Sequence, residues 1–171
     1  MPIRVSALYW KADTSRQELH GTRSQPCIVD SRDNDNRSIH VYSLPIDEYP
    51  GLVKVALHHG ADIDPNYRDV VDTDWIERVV GDKISQLMPH VDGRRPVQKE
   101  YCIYTNTPDN HPFIDRHPRH KNIVICAGFS GSGFKLAPVV GKAVTQLLAG
   151  QTPPYDMAPF RLDRFAPKPK L

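Results

Sequence analysis

Apolar and polar side chains alternate at the start of the chain. Ile3, Val5, Ala7 and Tyr9 fall on one side, which predicts a half-buried β-strand over 3–10. Residues 11–25 are polar and uneven and read as a loop. Two short apolar runs, 27–30 and 39–44, read as strands flanking Ser31-Arg32-Asp33-Asn34-Asp35-Asn36-Arg37, which is too polar to pack. Residues 45–51 turn into a strand over 52–58, where Leu52, Lys54 and Ala56 share a side. The period then changes: Ile76, Val80, Ile84 and Leu87 mark one face of a helix over about 74–88, closed by Pro89. Further strands are predicted over 99–105 and 123–127. Leu136, Val139, Val140, Ala143 and Leu147 then predict a helix over 134–149 that stops at Gly150, and five prolines keep the remainder irregular. The order of elements predicts an α+β fold: an antiparallel sheet with one helix in 1–101, then a strand–helix piece in 102–171 that would complete a sheet elsewhere.

Composition narrows the picture by exclusion. With 39% hydrophobic and 25% charged residues, 171 residues suffice for one ordinary core. A net charge of +2 provides no basic field, so nucleic acid is not an expected partner. No apolar run approaches the roughly 20 residues of a membrane span, so no membrane partner is expected either. Met1-Pro2-Ile3-Arg4-Val5 is too short in its apolar run for a signal peptide and reads as the start of a strand. Cys27, Cys102 and Cys126 lack CxxC spacing, which fits a reducing intracellular compartment better than a disulfide or zinc scaffold. Pro169-Lys170-Leu171 approaches a peroxisomal Ser-Lys-Leu address, and the expected location is the peroxisome, otherwise the cytoplasm. His58, His59, Asp62 and Asp64, or His111, His117 and His120, match no metal-ligand spacing, and no metal is expected.

The most informative stretch is 122–150. A buried-strand pattern runs into Gly128-Phe129-Ser130-Gly131-Ser132-Gly133 and then a helix. A glycine turn feeding a helix presents free N–H groups and the positive end of the helix dipole, which suits an anionic or electron-rich ligand. The glycines are not ordered as GxGxxG. A tight connection without a ligand remains the alternative.

CIYTNTPD, FIDRHP, NIVICAGFSGSGFKLAPVVGK and YDMAPFRLDRF, with YSLPIDEYPGLVKVALHHG before them, stand in one order along the chain. Together they resemble the C-terminal part of the sarcosine oxidase family of flavoenzymes, in particular its peroxisomal sarcosine/L-pipecolate oxidase branch. The resemblance runs from 3 to 165. It implies an incomplete glutathione-reductase-like or D-amino-acid-oxidase-like fold, with a substrate-domain portion in 1–101 and the C-terminal portion of an FAD-binding domain in 102–171. The GxGxxG unit and roughly two hundred residues that such an enzyme needs are not found here. The chain is therefore expected to be a truncated gene model, a fragment, or a remnant.

The resemblance also implies roles for particular residues. The cofactor is FAD, carried covalently through Cys102, with Gly128, Phe129, Ser130, Gly131, Gly133, Phe134 and Lys135 around the ring edge. Read alone, Cys102 would be an inert strand cysteine, as Cys27 and Cys126 are expected to be, buried in apolar strand patterns. Lys54 would assist the reaction with molecular oxygen, or else merely snorkel from a strand edge. His58 and Tyr42 would line the substrate cavity. Lys135 would bind the carboxylate of a small secondary amino acid, or be a solvated first-turn lysine. Two positions depart from the family pattern, Ser132 in place of a histidine and Leu57 in place of an aromatic residue. The activity implied is oxidation of a sarcosine- or L-pipecolate-type amine to an imine, with hydrogen peroxide as second product. The fragment alone is expected to be inactive. The alternative is a non-catalytic fragment or interaction module derived from such an oxidase.

Overall fold

The computed structural model describes residues 1–13, 15–16, 24–31, 40–68 and 72–166. It divides into two compact units, Pro2–Ile103 and Tyr104–Leu171, the latter joined by Met1. The fold is α+β, as the order of elements predicts.

The first unit is built on one antiparallel sheet. Its strands are β1 (Pro2–Lys11), β2 (Ile28–Asp30), β3 (Val41–Leu44), β4 (Leu52–Leu57), β5 (Gly60–Asp62) and β6 (Gln98–Thr105), with helix α1 (Asp74–Leu87) after β5. β2, β3, β4 and β1 lie side by side in that order, and both β5 and β6 also pair with β1. Ala12 N–H donates to the Gly51 carbonyl, and Pro2 accepts from Ile63 N–H, so even-numbered residues of β1 face the β4–β5 edge. Val97 N–H donates to the Tyr9 carbonyl at 2.8 Å on the opposite edge, which β6 occupies.

Tyr9 pairs with Lys54, whereas Val5 pairs with Gly60. Four steps along β1 thus match six along the β4–β5 strand. Two extra residues are taken up at His58 and His59, a bulge that interrupts the ladder. Gly60 resumes it because a Cβ there would lie 1.9 Å from the Arg4 carbonyl oxygen.

Leu8, Trp10, Val41, Val53, Val55 and Leu57 cover one face of the sheet and pack on Ile76, Val80 and Ile84 of α1. Trp10 anchors this core by donating its indole N–H to the Val55 carbonyl at 2.9 Å. β1 is buried on both faces from Ile3 to Trp10, not on one as alternation predicts. Its polar positions are only partly matched, the buried Ser6 hydroxyl having no hydrogen-bond partner among the described residues. Arg4 donates to the Arg68 carbonyl at 3.2 Å and stacks 3.7 Å over the Tyr101 ring. At the other side of the sheet, Lys83 of α1 forms a buried ion pair with Asp30 of β2 at 3.2 Å.

The second unit contains a hairpin of β7 (Phe113–Arg116) and β8 (Val124–Ala127), helix α2 (Gly133–Leu148) and a short 3-10 turn at Ala158–Phe160. α2 packs on both strands, yet Ala143 is its only buried residue among those described. Phe134 is 98% exposed, and Val139 and Leu148 are also exposed. An apolar helix usually buries its apolar stripe, so this one presents a side that nothing in the described chain covers.

The expectation of buried cysteines at Cys27 and Cys126 is corrected: both are exposed, as is Cys102. Cys27 lies just before the three-residue β2. Cys126 lies on a two-stranded sheet too small to cover it. The expected strand over 39–44 begins at Val41 among described residues, and residues 32–37, 39 and 167–171 lie outside them.

Candidate active-site face and glycine turn

Side chains two apart along a strand share a face. On β1 the row opposite α1 contains Tyr9, which pairs with Lys54, and Lys54 pairs in turn with Leu44. Ala56 pairs with Tyr42. Lys54 and Tyr42, both half-buried, therefore stand on one face. The Lys54 ammonium is 5.6 Å from the centre of the Tyr9 ring. On β6, Glu100 reaches this face by accepting a hydrogen bond from the Tyr9 hydroxyl at 2.8 Å. Cys102, two residues on and exposed, continues that row. The face away from α1 thus holds Tyr42, Lys54 and Cys102, three of the residues singled out by sequence.

His58 stands at the bulge. Its N–H donates to the His40 carbonyl at 2.8 Å, so the β3 ladder continues through it while pairing to β1 has stopped. The neighbouring His59 ring meets Trp75 of α1 at 6.4 Å. His58, exposed, extends the Lys54–Ala56 row on the other side. Bulges commonly re-aim a side chain next to a site, and here the re-aimed pair is two histidines.

Sequence reasoning did not find Glu100, Tyr9 and Tyr49. The Tyr49 hydroxyl donates to Glu100 at 2.5 Å, and its ring meets Tyr9 edge-to-face at 4.8 Å. Two phenols donating to one carboxylate hold Glu100 below the usual carboxylate range, with Lys54 adding to the effect. The tyrosines shift the other way. Burial and the Glu100 hydrogen bond push the Tyr9 phenol well up, and the Glu100 hydrogen bond raises Tyr49. The result is a fixed negative charge beside the Lys54 ammonium. The three lie far apart in sequence, and only the Lys54–Val53 oddity of a charge in an apolar strand hinted at such a cluster.

In the second unit, the turn at 128–133 is built from left-handed backbone: Gly128 at φ +74°, Ser130 at φ +50° and Gly131 at φ +82°. Glycine is needed at 128, where a Cβ would sit 2.7 Å from the Thr107 methyl carbon. Ser130 is buried. Its N–H donates to the Thr105 carbonyl at 3.2 Å, and its hydroxyl accepts from Thr107 N–H at 3.1 Å. α2 then starts at Gly133 with no side-chain cap and no acidic residue in its first turn. Phe134 and Lys135, both exposed, occupy that turn. A helix start with uncapped N–H groups and an added ammonium attracts anions or electron-rich ring edges. That donor set fits the carbonyl-bearing edge of a flavin ring. Among the described residues, no three of His, Cys, Asp and Glu assemble a metal-ion site; His117 and His120 meet only as a pair, ring centres 4.8 Å apart.

Comparison with known proteins decides the family. Residues 5–147 match the FAD dependent oxidoreductase (DAO) family. The chain belongs to this family of flavoenzymes. It is 43% identical to the peroxisomal sarcosine oxidase of Mus musculus over 170 residues, covering 96% of this chain and 42% of that protein. It is 50% identical to the Homo sapiens peroxisomal sarcosine oxidase over 133 residues, 74% of this chain and 33% of that protein. The chain thus spans less than half the length of these relatives. In fold it is similar to the fructosamine oxidase Amadoriase II of Aspergillus fumigatus (TM-score 0.74, 20% identity, 96% of this chain and 40% of that one). It is likewise similar to the glycine oxidase of Geobacillus kaustophilus (TM-score 0.67, 19% identity, 95% and 39%). FAD is the cofactor of this family.

Proposed function

We propose that this chain carries the substrate-side sheet and the flavin-ring-edge turn of an oxidase for small secondary amino acids of the sarcosine or L-pipecolate type. The observation that carries this reading is the convergence of Tyr42, Lys54 and Cys102 on the sheet face away from α1, with His58 at its bulged end. When bound, FAD supplies an acceptor for the two electrons released as the substrate's C–N bond becomes an imine. The chain's own groups do the rest. Cys102, exposed on its strand, is the thiol that tethers the flavin as a thioether. The amides of Gly128, Phe129, Gly131, Gly133 and Phe134 provide donors toward the ring edge, while Ser130, whose N–H donates to the Thr105 carbonyl, braces the turn. Lys135 and the start of α2 hold the substrate carboxylate. Tyr42 and His58 line the substrate. Lys54 places a fixed positive charge where oxygen takes up electrons on its way to hydrogen peroxide.

The relatives' length and the uncovered apolar side of α2 support a further reading: the 171-residue chain alone does not turn over. A dinucleotide half must first bind and orient the flavin before a thiolate can reach it. The names of the two mammalian relatives support a peroxisomal location.

The test joins this chain to the N-terminal part of its mouse relative. The fusion should keep yellow colour in an acid-precipitated pellet and lose it on Cys102→Ser. Flavin retained by the serine variant would overturn the tether. Peroxide production from sarcosine or L-pipecolate by the 171-residue chain alone would overturn the requirement for the other half.

A further inference from the structure

We infer that Arg164 is a positioning residue for the glycine turn, acting from the far end of the second unit through Asp109 and Thr107. This rests on the proposed role of the turn at a flavin ring edge, but the mechanical link can be read from the chain itself.

The Arg164 side chain is only 8% exposed, unusual for an arginine. It is held by two aromatic rings and by carboxylate and carbonyl acceptors. Phe113 and Phe165 lie 3.8 Å and 4.5 Å from it. It donates to the two carboxylate oxygens of Asp109 at 2.9 Å and 3.0 Å, the two-pronged geometry that only a guanidinium offers. A third bond reaches the His111 carbonyl at 2.7 Å. The Thr107 hydroxyl donates to that same carbonyl at 2.8 Å, and Asn110 N–H donates to the Thr107 carbonyl at 3.2 Å. The loop from 107 to 111 is therefore closed by Arg164 from outside and by Thr107 from inside. Asn110 at φ +59° marks it as a tight loop that needs such bracing.

Thr107 is also where the loop meets the turn. Its N–H donates to the Ser130 hydroxyl, and its methyl carbon fills the space that the absent Gly128 side chain leaves. Ser130 is the one non-glycine residue of the turn with left-handed backbone, a conformation that persists only where its surroundings enforce it. The enforcing contacts are those from Thr105 and Thr107. Loosening the 107–111 loop should let Ser130 relax and move the amides of 131–135 that open α2.

The test is amide hydrogen exchange on the full 171-residue chain, comparing wild type with Arg164→Met, Arg164→Lys and Asp109→Asn. Arg164→Met should speed exchange at the Ser130 amide by about tenfold or more, with α2 beyond its first turn and the β3–β4 ladder unchanged. Arg164→Lys, which keeps the charge but not the fork, should fall in between, and Asp109→Asn should add nothing to Arg164→Met. Wild-type exchange at Ser130 in Arg164→Met, with only the tail loosened, would overturn the inference. So would uniform loosening of the whole unit in every variant, the mark of a general structural role. In the flavin-loaded fusion, Arg164→Met should shift the flavin absorption bands and midpoint potential. A loosened turn with unshifted bands would uphold the inference and sink the reading of the turn as a flavin contact.

Discussion

The ion pair between Lys83 and Asp30 offers a severe test of the packing between α1 and the sheet. Both side chains are 7% exposed, with nitrogen and oxygen 3.2 Å apart. At an effective dielectric near 20, that separation gives an attraction of about 5 kcal/mol. Desolvating the two charges costs several kcal/mol each, so the pair as a whole is worth little compared with apolar side chains of similar size. Its members are not independently dispensable, however. Asp30→Leu leaves the ammonium among Ile84, Leu87, Val41 and Val55, with its carboxylate gone. The expected cost is about 3–5 kcal/mol, and Lys83→Met should cost less because Asp30 has further interactions. The double variant should return to within about 1 kcal/mol of wild type. Urea unfolding followed by Trp10 fluorescence measures all three, since Trp10 lies in the same core. For a chain of this size, the Asp30→Leu loss corresponds to a midpoint lowered by roughly 6–20 °C. An Asp30→Leu variant within about 1 kcal/mol of wild type, or a double variant as costly as the sum of singles, would refute the account.

Four further outcomes follow from the geometry. Gly60→Ala should abolish folding of the first unit, because its Cβ would meet the Arg4 carbonyl. Gly141→Ala, in open space mid-helix, should stabilise by about 0.5–1 kcal/mol; circular dichroism melts of both decide it. The Tyr9 and Tyr49 phenols have raised folded values, so their contribution is complete below the unfolded phenol value and lost as pH rises through the folded one. Absorbance titration at alkaline pH should therefore show two late tyrosines; in Glu100→Gln Tyr49 should titrate earlier, while Tyr9, still held up by burial, should come down only in part. Asp109 is held well below its ordinary value by Arg164, so its contribution is complete above the unfolded carboxylate value and lost as pH falls through the folded one. Limited proteolysis after Arg161 and Arg164 should accelerate in acid with an acid-tolerant protease, and a flat profile would argue against the clasp.

Periodicity made the long elements legible. Alternation marked β1 and β4, and the 3.6-residue recurrence marked α1 and α2 to within a residue or two. β5 was not visible, because Gly60-Ala61-Asp62 has no pattern of its own and exists as a strand only by pairing with β1. β7 was missed for a similar reason: Asp115 and Arg116 hide a four-residue strand, and Asp115 is polar because it accepts the Leu162 N–H at 3.0 Å. Alternation put Lys54 on one side of its strand with Leu52 and Ala56, and the pairing of β3 with β4 then brings Tyr42 to that face. Glu100 could not be found that way. Its meaning depends on which strand lies beside β1, and on Tyr49 folding back from a turn.

The bulge at His58 and His59 has a consequence for how this sheet can change over time. Inserting a single residue into a strand turns every following side chain to the opposite side. Two residues restore the phase, so Ala61 and Asp62, though shifted two places to pair with Arg4 and Ile3, keep the faces an uninterrupted strand would give them. The site therefore has a seam at which length is adjustable in steps of two. The strand can lengthen or shorten there while the core beneath α1 stays unaltered.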